Sequence, residues 1–575
     1  MLSRLPSILA LVIPACAQTI CPPTPAYSPC DVTFDVPATA GADFDLHAEF
    51  RAPSANTALA NAFHDGGSRW TIRFTPTEPG VHTFRVTSSI SALNGKTGEL
   101  TATASDKKGW LRAANVHHWA LVEGTKLTPH LWMGFIVPDF EAMSQANWKT
   151  LIDRRAAQHF NHVGITLVDQ GSAPRFQTPE FFHEAEEKIR YANQHGMIVD
   201  IAFFGADGLM SRLLKSREER QKWFTIALSR LAAFDVTWQG IENWESYDNG
   251  RELLKEISEY LTNLDPYKHT RSTRASIASG ALTDDGWLRY RFYRTGDDQI
   301  GAVDQQFYKY PAVNDFGSGV NDVDTFRRRL WNSTADGQYP ETAIPNEQAA
   351  ACMKNWYEFM TDNRHWELEP FFDVSNGRGI GLQGVEYIIY VEKPGPVTLN
   401  PEKQSYEVEW FNPATGEATR AKEKSKGEAF TTEPPDNSHD WVLHLERSGH
   451  KNSMLKSYYF DSQEIVMQEI EGDPEKVPFE MVQPSGDTIS LSSPPRFEIK
   501  LKRQSKALEK MMYEWTGEVT ASERGARVIA TGASGALQIP ANIAADYPAA
   551  IHIRLTAVNG LGKAYILDRN YNLTK

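Results

Sequence analysis

The sequence predicts a multidomain α/β plus all-β protein, a central (β/α)8 barrel flanked by β-sandwich domains. Three observations carry this expectation. From about residue 109 to residue 366, short apolar runs alternate with helical stretches, giving eight strand candidates joined by crossover helices. Residues 31–105 instead carry period-two runs at Asp45–Phe50, Trp70–Phe74 and His82–Thr87, separated by Gly-Gly, Pro-Gly and Asn-Gly turn signals. From about residue 452 to 575 the chain is again strand-rich with polar turns, and reads as a second β-sandwich.

A chain of 575 residues is too long for one core, and length suggests roughly three or four domains. With 41% hydrophobic and 23% charged residues it has the composition of a soluble globular protein. A net charge of -14 disfavours nucleic acid and anionic membrane surfaces as partners. Residues 1–17 read as a secretory signal, with Arg4 before the apolar stretch Ile8 to Ile13 and Ala15-Cys16-Ala17 as the cleavage site. The alternative, a lipid-modified Cys16, is disfavoured by Pro14. No segment is apolar for 18 residues, so no membrane span is expected and the mature protein is expected to be exported, periplasmic or extracellular. Cys21 and Cys30 flank a Pro-rich octapeptide and are expected to form a disulfide there, while Cys352 reads as a buried free thiol.

In the central segment the strand candidates are Thr128–Phe135, His162–Leu167, Met197–Phe204, Val236–Ile241, Arg271–Ala275, Leu288–Tyr293, Ala312–Phe316 and Gly337–Tyr339. Helices are expected over Asn147–His159, Phe181–His195, Ser216–Phe234 and Arg251–Leu264. The fourth strand runs into FDVTWQGIENWESY, where Glu242, Asn243, Trp244, Glu245 and Tyr247 crowd its end. In a (β/α)8 barrel the chemistry sits where strands end. Two carboxylates beside an amide and two rings suit glycosidic cleavage: an acid protonates the leaving oxygen, and rings stack on the apolar face of the sugar. An exposed loop with solvated acids is the competing reading.

Phe63-His64-Asp65-Gly66-Gly67 followed by RWTIRFTPTEPGVHTF resembles the immunoglobulin-like module that precedes certain bacterial glycosidase barrels, for which packing against the barrel is the expected role. HLWMGF, AAQHFNHVGI, DVTWQGIENWESYDNGRELLKEI, LDPYKHTRSTRA, DDGWLRYRFYRTGDDQIGAVDQQFY, PAVNDFG and FRRRLWNSTADGQYP resemble the apiosidase-like glycoside hydrolase barrels. HWELEPFF, EYIIYVEKPGPVTLN and WFNPATGE are similar to the small collagen-binding-type β-domain that follows such barrels and packs on them. The implied division is 1–17 signal peptide, 18–108 immunoglobulin-like module, 109–366 barrel, 367–450 small β-domain and 451–575 C-terminal β-sandwich.

The resemblance implies an acid/base after the fourth strand, in a W-x-x-x-N-E ending, and a nucleophile after the seventh, in P-x-V-N-x-E-F/P-G. Here Trp238-Gln239-Gly240-Ile241-Glu242-Asn243 transposes the Glu and Asn. Neighbouring strand positions face opposite ways, so only one of Glu242 and Glu245 is expected over the barrel axis, and the loop position favours Glu245. Pro311-Ala312-Val313-Asn314-Asp315-Phe316-Gly317 puts Asp315 in the nucleophile's place, with a helix-capping Asp as the competing reading. Weaker expectations at strand ends, as substrate-binding residues, are Trp132, His162, Asn243, Trp244, Tyr247, Arg274, Asp298, Tyr308 and Gln338.

Other chemistries fit poorly, since GxSxG, HExxH, CxxC and Walker-type patterns are absent from the sequence. Asp284-Asp285 and the pair Asp322 and Asp324 follow no calcium-loop pattern, so neither metal nor cofactor is expected. The expected function is an exported glycoside hydrolase degrading plant or microbial polysaccharide with two carboxylates. The alternative is a non-catalytic carbohydrate-binding or scaffold protein on a degenerate barrel.

Overall fold

A computed structural model describes residues 18–36, 44–296, 299–449, 469–490, 492–493, 496–519, 527–531, 534–536 and 549–574. The expected signal, residues 1–17 with Cys16, and Asp298 lie outside the described residues.

The N-terminal part is an eight-stranded sheet built from strands between Gln18 and Thr103. Alternation in Cys30–Asp35 and Gly80–Ser88 sends every second residue inward, so Val32, Phe34, Phe84 and Val86 are buried. Cys21 and Cys30 are disulfide-bonded with Cα atoms 5.5 Å apart, and Cys352 is a buried free cysteine.

This sheet lies against the outer helix Arg217–Leu231, whose start carries a capping box between Ser216 and Glu219. Buried cations seal the contact. Arg230 binds Glu186 at 2.6 Å and Asp65 at 3.1 Å, with its guanidinium over the Phe63 ring at 4.2 Å. Arg73 binds Asp31 at 2.7 Å and Glu186 at 3.1 Å and donates to the Arg230 carbonyl. The Phe63-His64-Asp65 motif is therefore part of the packing surface on the back of the central unit.

In that unit, the strands Gly134–Val137, His162–Val168, Ile198–Phe204 and Val236–Trp238 form a four-stranded parallel sheet. Arg291–Tyr293, Ala312–Asp315 and Gln338–Glu341 form a three-stranded parallel sheet. Isolated parallel bridges join Trp238 to Arg271 and Ile136 to Ala343, and the Arg289 amide donates to the Arg271 carbonyl at 2.8 Å. Helices that include Gln145–Ala156, Pro179–Gln194, Gly250–Leu264, Val323–Ala335 and Glu347–Thr361 connect the strands.

Three strand expectations need correction. Lys126–Pro129 is an antiparallel strand of a separate three-stranded sheet, and the parallel strand starts only at Gly134. Arg271–Ala275 reduces to the single bridge at Arg271, and beyond it the Thr273 side chain, not the backbone ladder, reaches the neighbouring segment by donating to the Ile241 carbonyl. The last strand continues past Tyr339 to Glu341. Three of the four aspartates considered for calcium are committed elsewhere. Asp322 caps the helix Val323–Ala335, Asp324 pairs with Arg327 and Asp285 with Arg251.

Beyond the helix Glu347–Thr361, a six-stranded sheet runs from Glu369–Phe371 to Trp441–Arg447. It docks on Val323–Ala335 through Trp331, stacked near Tyr390, and through Arg327 and Asp440, 2.6 Å apart and both 8% exposed. The C-terminal sheets have their own core around Phe479, Phe497, Trp515, Ile553 and Leu555, and contact the central unit through Arg251 and Glu518 at 2.7 Å. No helix among the described residues is long and apolar enough to cross a membrane.

Candidate active site

The strand Val236–Trp238 ends in a backbone that turns sharply twice. Gly240 has φ +48°, and a Cβ there would lie 2.9 Å from both Leu254 and Thr273 side-chain atoms. Asn243 also takes a left-handed φ of 45°. Between the two turns Glu242 points inward. Its Oε2 accepts from Arg274 Nη1 at 3.0 Å and from the Thr166 hydroxyl at 3.3 Å, and its Oε1 accepts from Arg294 Nη2 at 2.9 Å.

Asp315 is the last residue of its strand, and its side chain is 2% exposed. Its Oδ2 accepts from Arg294 Nε at 3.1 Å and its Oδ1 from the Ser318 hydroxyl at 2.5 Å. Arg294 also donates through Nη1 to Asn243 Oδ1 at 2.9 Å. One guanidinium therefore spans Glu242, Asn243 and Asp315. At 28% exposed it is more open than either carboxyl.

The two carboxyls do not share one electrostatic environment. Burial pushes the Glu242 pKa up, but the guanidiniums of Arg274 and Arg294 outweigh it and hold the group below its ordinary value. Burial also raises the pKa of Asp315, and there the single close guanidinium of Arg294 does not offset it, so the net shift is upward. The two pKa values are thus pushed in opposite directions, the kind of separation that acid–base chemistry on a glycosidic bond uses.

The remaining expected site residues divide by position. Arg274 joins the group, 1% exposed, with its Nε donating to Gln239 at 2.6 Å. Glu245 is turned away, both its oxygens accepting from the Ser276 amide at 3.1 Å. Trp244 and Tyr247 are buried at 1% and 2%, so neither presents a ring face to a ligand. The Tyr247 hydroxyl donates to the Gly205 carbonyl at 2.5 Å, and burial pushes its pKa to about 12. Trp132, His162, Tyr308 and Gln338 lie at the opposite, N-terminal ends of the strands and are corrected as substrate contacts. Trp132 precedes its strand and stacks on His162, the first residue of the next, with centroids 3.4 Å apart. Tyr308 precedes Ala312–Asp315, its carbonyl accepting from His117, and Gln338 opens its strand and holds Asn314 at 2.9 Å.

Sequence reading missed Arg294, Thr166, Asp200 and Glu341. Arg294 directly follows Arg291–Tyr293, and that position was its only signal. Glu341 was hidden because the last strand was ended two residues early. A search of the described residues finds no group of His, Cys, Asp and Glu that could hold a metal ion.

Residues 24–89 match the family model "Domain of unknown function (DUF5060)", and residues 380–446 match "Putative collagen-binding domain of a collagenase". Among solved structures, a "putative glycoside hydrolase" from Bacteroides vulgatus aligns with a TM-score of 0.63 at 16% identity, over 74% of this chain and 100% of that one. A protein described as "Glycoside hydrolase" aligns at TM-score 0.50 and 12% identity, over 59% of this chain and 97% of that one. A glycoside hydrolase family 5 structure from Bacteroides vulgatus gives 0.50 and 12%, over 60% and 93%. At these identities the likeness is one of fold. A comparison with curated proteins finds no match.

Proposed function

We propose that this protein is an exported glycoside hydrolase in which Glu242 and Asp315 flank the scissile bond, on a closed (β/α)8 barrel of apiosidase-like kind. The single observation that carries this reading is the sharing of Arg294 by both carboxyls. Two hydrogen bonds to neighbouring nitrogens of one guanidinium keep the carboxyl groups within about 8 Å, a span that includes the separation used by retaining glycosidases. The fold likeness to glycoside hydrolases is consistent with it. The substrate class is an oligosaccharide or polysaccharide of plant or microbial origin, and export rests on the signal-like residues 1–17.

The resting electrostatics favour Asp315 as the proton donor to the leaving oxygen and Glu242 as the charged carboxylate facing the anomeric centre. This reverses the order that the family resemblance implies. Arg294 must leave the space between the two when a sugar enters, and Asn243 is placed to hold a hydroxyl in its stead.

Aryl glycosides and pectic oligosaccharides, tested against wild type, Glu242→Gln and Asp315→Asn, examine this reading. Losses of about 1,000-fold or more in kcat are expected for each variant. Unchanged turnover in both variants removes the two residues from the mechanism. A second reading, carbohydrate binding without cleavage, is favoured by the same Arg294, whose guanidinium is committed on both edges. Calorimetric binding with no turnover by wild type over days would establish it.

A further inference from the structure

Glu341 ends the strand beside Asp315 and is its register partner, so both side chains leave the sheet on the same face. It is 0% exposed, and neither carboxyl oxygen has a hydrogen-bond partner. Two glycines make room for it: a Cβ on Gly134 would lie 3.2 Å from its Cγ, and one on Gly164 would lie 3.0 Å from its Oε1. The same Gly164 Cβ would lie 2.4 Å from Arg274 Nη2, a buried nitrogen that also has no hydrogen-bond partner. Glu341 Oε1 and the uncommitted Nη2 of Arg274 therefore both border the space above Gly164 with no hydrogen bond between them, while Arg274 spends its other nitrogens on Glu242 and Gln239.

An ionised carboxylate with no hydrogen bond in such a place is far costlier than a neutral acid. We propose that Glu341 is a third carboxyl of this site and its positioning residue: as a neutral acid it leaves Arg274 bound to Glu242, and as an anion it would draw Arg274 away. The inference rests on the glycosidase reading only for its effect on turnover. The charged and titratable groups facing Glu341 are Asp200 from Ile198–Phe204, Asp315 from its own neighbouring strand, Arg274 and Arg294 from the loops, and the buried Tyr290 just before Arg291–Tyr293. Burial and the acids push the Glu341 pKa well up, against the two arginines. Asp200 is likewise raised, first by burial.

The test begins with the unmutated chain labelled with 13C at the glutamate carboxyls and followed by NMR from pH 4 to 9. One resonance is expected to keep its protonated shift through pH 7 and to be missing in Glu341→Gln. If every glutamate resonance has titrated below pH 6, the proposal fails, whatever the variant does. The second readout is thermal stability of the variant against wild type. A carboxyl with a raised folded pKa loses stability as pH climbs above its unfolded value of about 4.3, so the Tm advantage of Glu341→Gln should widen from pH 5 to 8. A gap that does not change with pH overturns the proposal. The third readout is the pH profile of kcat/KM. Glu341→Gln should keep only the alkaline limb of the Asp315 acid, displaced from that of wild type, whereas superimposable alkaline limbs refute the positioning role. Should wild type turn over no glycoside, the glycosidase reading fails, and the NMR and Tm readouts still decide the state of Glu341.

Discussion

Glu242 and Asp315, 73 positions apart in the chain, bind adjacent nitrogens of the Arg294 guanidinium, at 2.9 Å on Nη2 and 3.1 Å on Nε. Without that cation, two partly buried carboxylates would repel one another at the end of the sheet. Arg294 sets both the distance between them and their charge.

Arg294→Met should therefore raise the pKa of both carboxyls, since Arg294 lowers each of them. The acid limb of the kcat/KM profile should move to higher pH by roughly one unit, with a fall in kcat/KM of about tenfold or more. Arg294→Lys restores the charge but not the two-edged fork, so it should recover the pH position more fully than the rate. An acid limb that stays in place in Arg294→Met would show that the carboxyls titrate independently of this cation.

Gly164→Ala adds a Cβ 2.4 Å from Arg274 Nη2. The arginine has to shift in a packed interior, at a cost of about 1–3 kcal/mol. Urea denaturation should show this as a lower midpoint at unchanged slope. Gly196, where an added Cβ meets nothing within 4 Å, is no simple control because its φ is +79°.

The attachment of the second β-domain should hinge on Arg327. Its pairing with Asp440 is buried on both sides, and Tyr390 donates a further hydrogen bond to the same carboxylate at 2.8 Å. Arg327→Met leaves Asp440 charged and unpaired, and should cost on the order of 3 kcal/mol. The double variant with Asp440→Leu should recover much of this. A double variant no more stable than Arg327→Met would place the effect elsewhere.

Acid should weaken the fold through buried neutral histidines. Burial pushes the His365 pKa down to about 3, helped by His118 and His130. Below the unfolded value of about 6.5 the unfolded chain binds a proton that the folded chain refuses, so stability falls with pH from there to about 3. For His365 alone the loss is on the order of 4 kcal/mol at the acid end. His130 and His162 are depressed too, first by burial, and add to it. Tm measured from pH 8 to 4 should decline below about 6.5, and less steeply in His365→Phe.

Much of the framework was legible in the chain. Period-two runs marked the N-terminal sheet, because a half-buried strand must alternate. Apolar runs alternating with helical stretches marked the parallel unit, because a strand covered on both faces needs neither alternation nor polar residues. The helix expected over Ser216–Phe234 starts within one residue of the observed Arg217–Leu231. The acids near the ends of Val236–Trp238 and Ala312–Asp315 were visible as well, because they follow on short apolar β-forming runs.

What the chain alone could not decide was which acid faces inward. Glu242 and Glu245 differ by three positions, and the choice between them is made by the φ values of Gly240 and Asn243, which turn Glu242 toward Arg274 and leave Glu245 on the Ser276 amide. Nor could it tell a strand's start from its end as a place for chemistry. Trp132 and His162 stack as closely as the acids pair, and Gln338 holds Asn314, but all at the N-terminal ends of the strands. Arg294 and Glu341 carried no signal beyond their places at strand ends. Their chemistry comes from neighbours supplied by other strands: the carboxyls that share Arg294, and the buried, partnerless position beside Asp315 and Arg274 that favours the neutral acid at Glu341. Local sequence determines where strands and turns form, because those preferences act over a few residues. Charge state and contact across the sheet depend on distance and burial in three dimensions, and only the tertiary structure decides them.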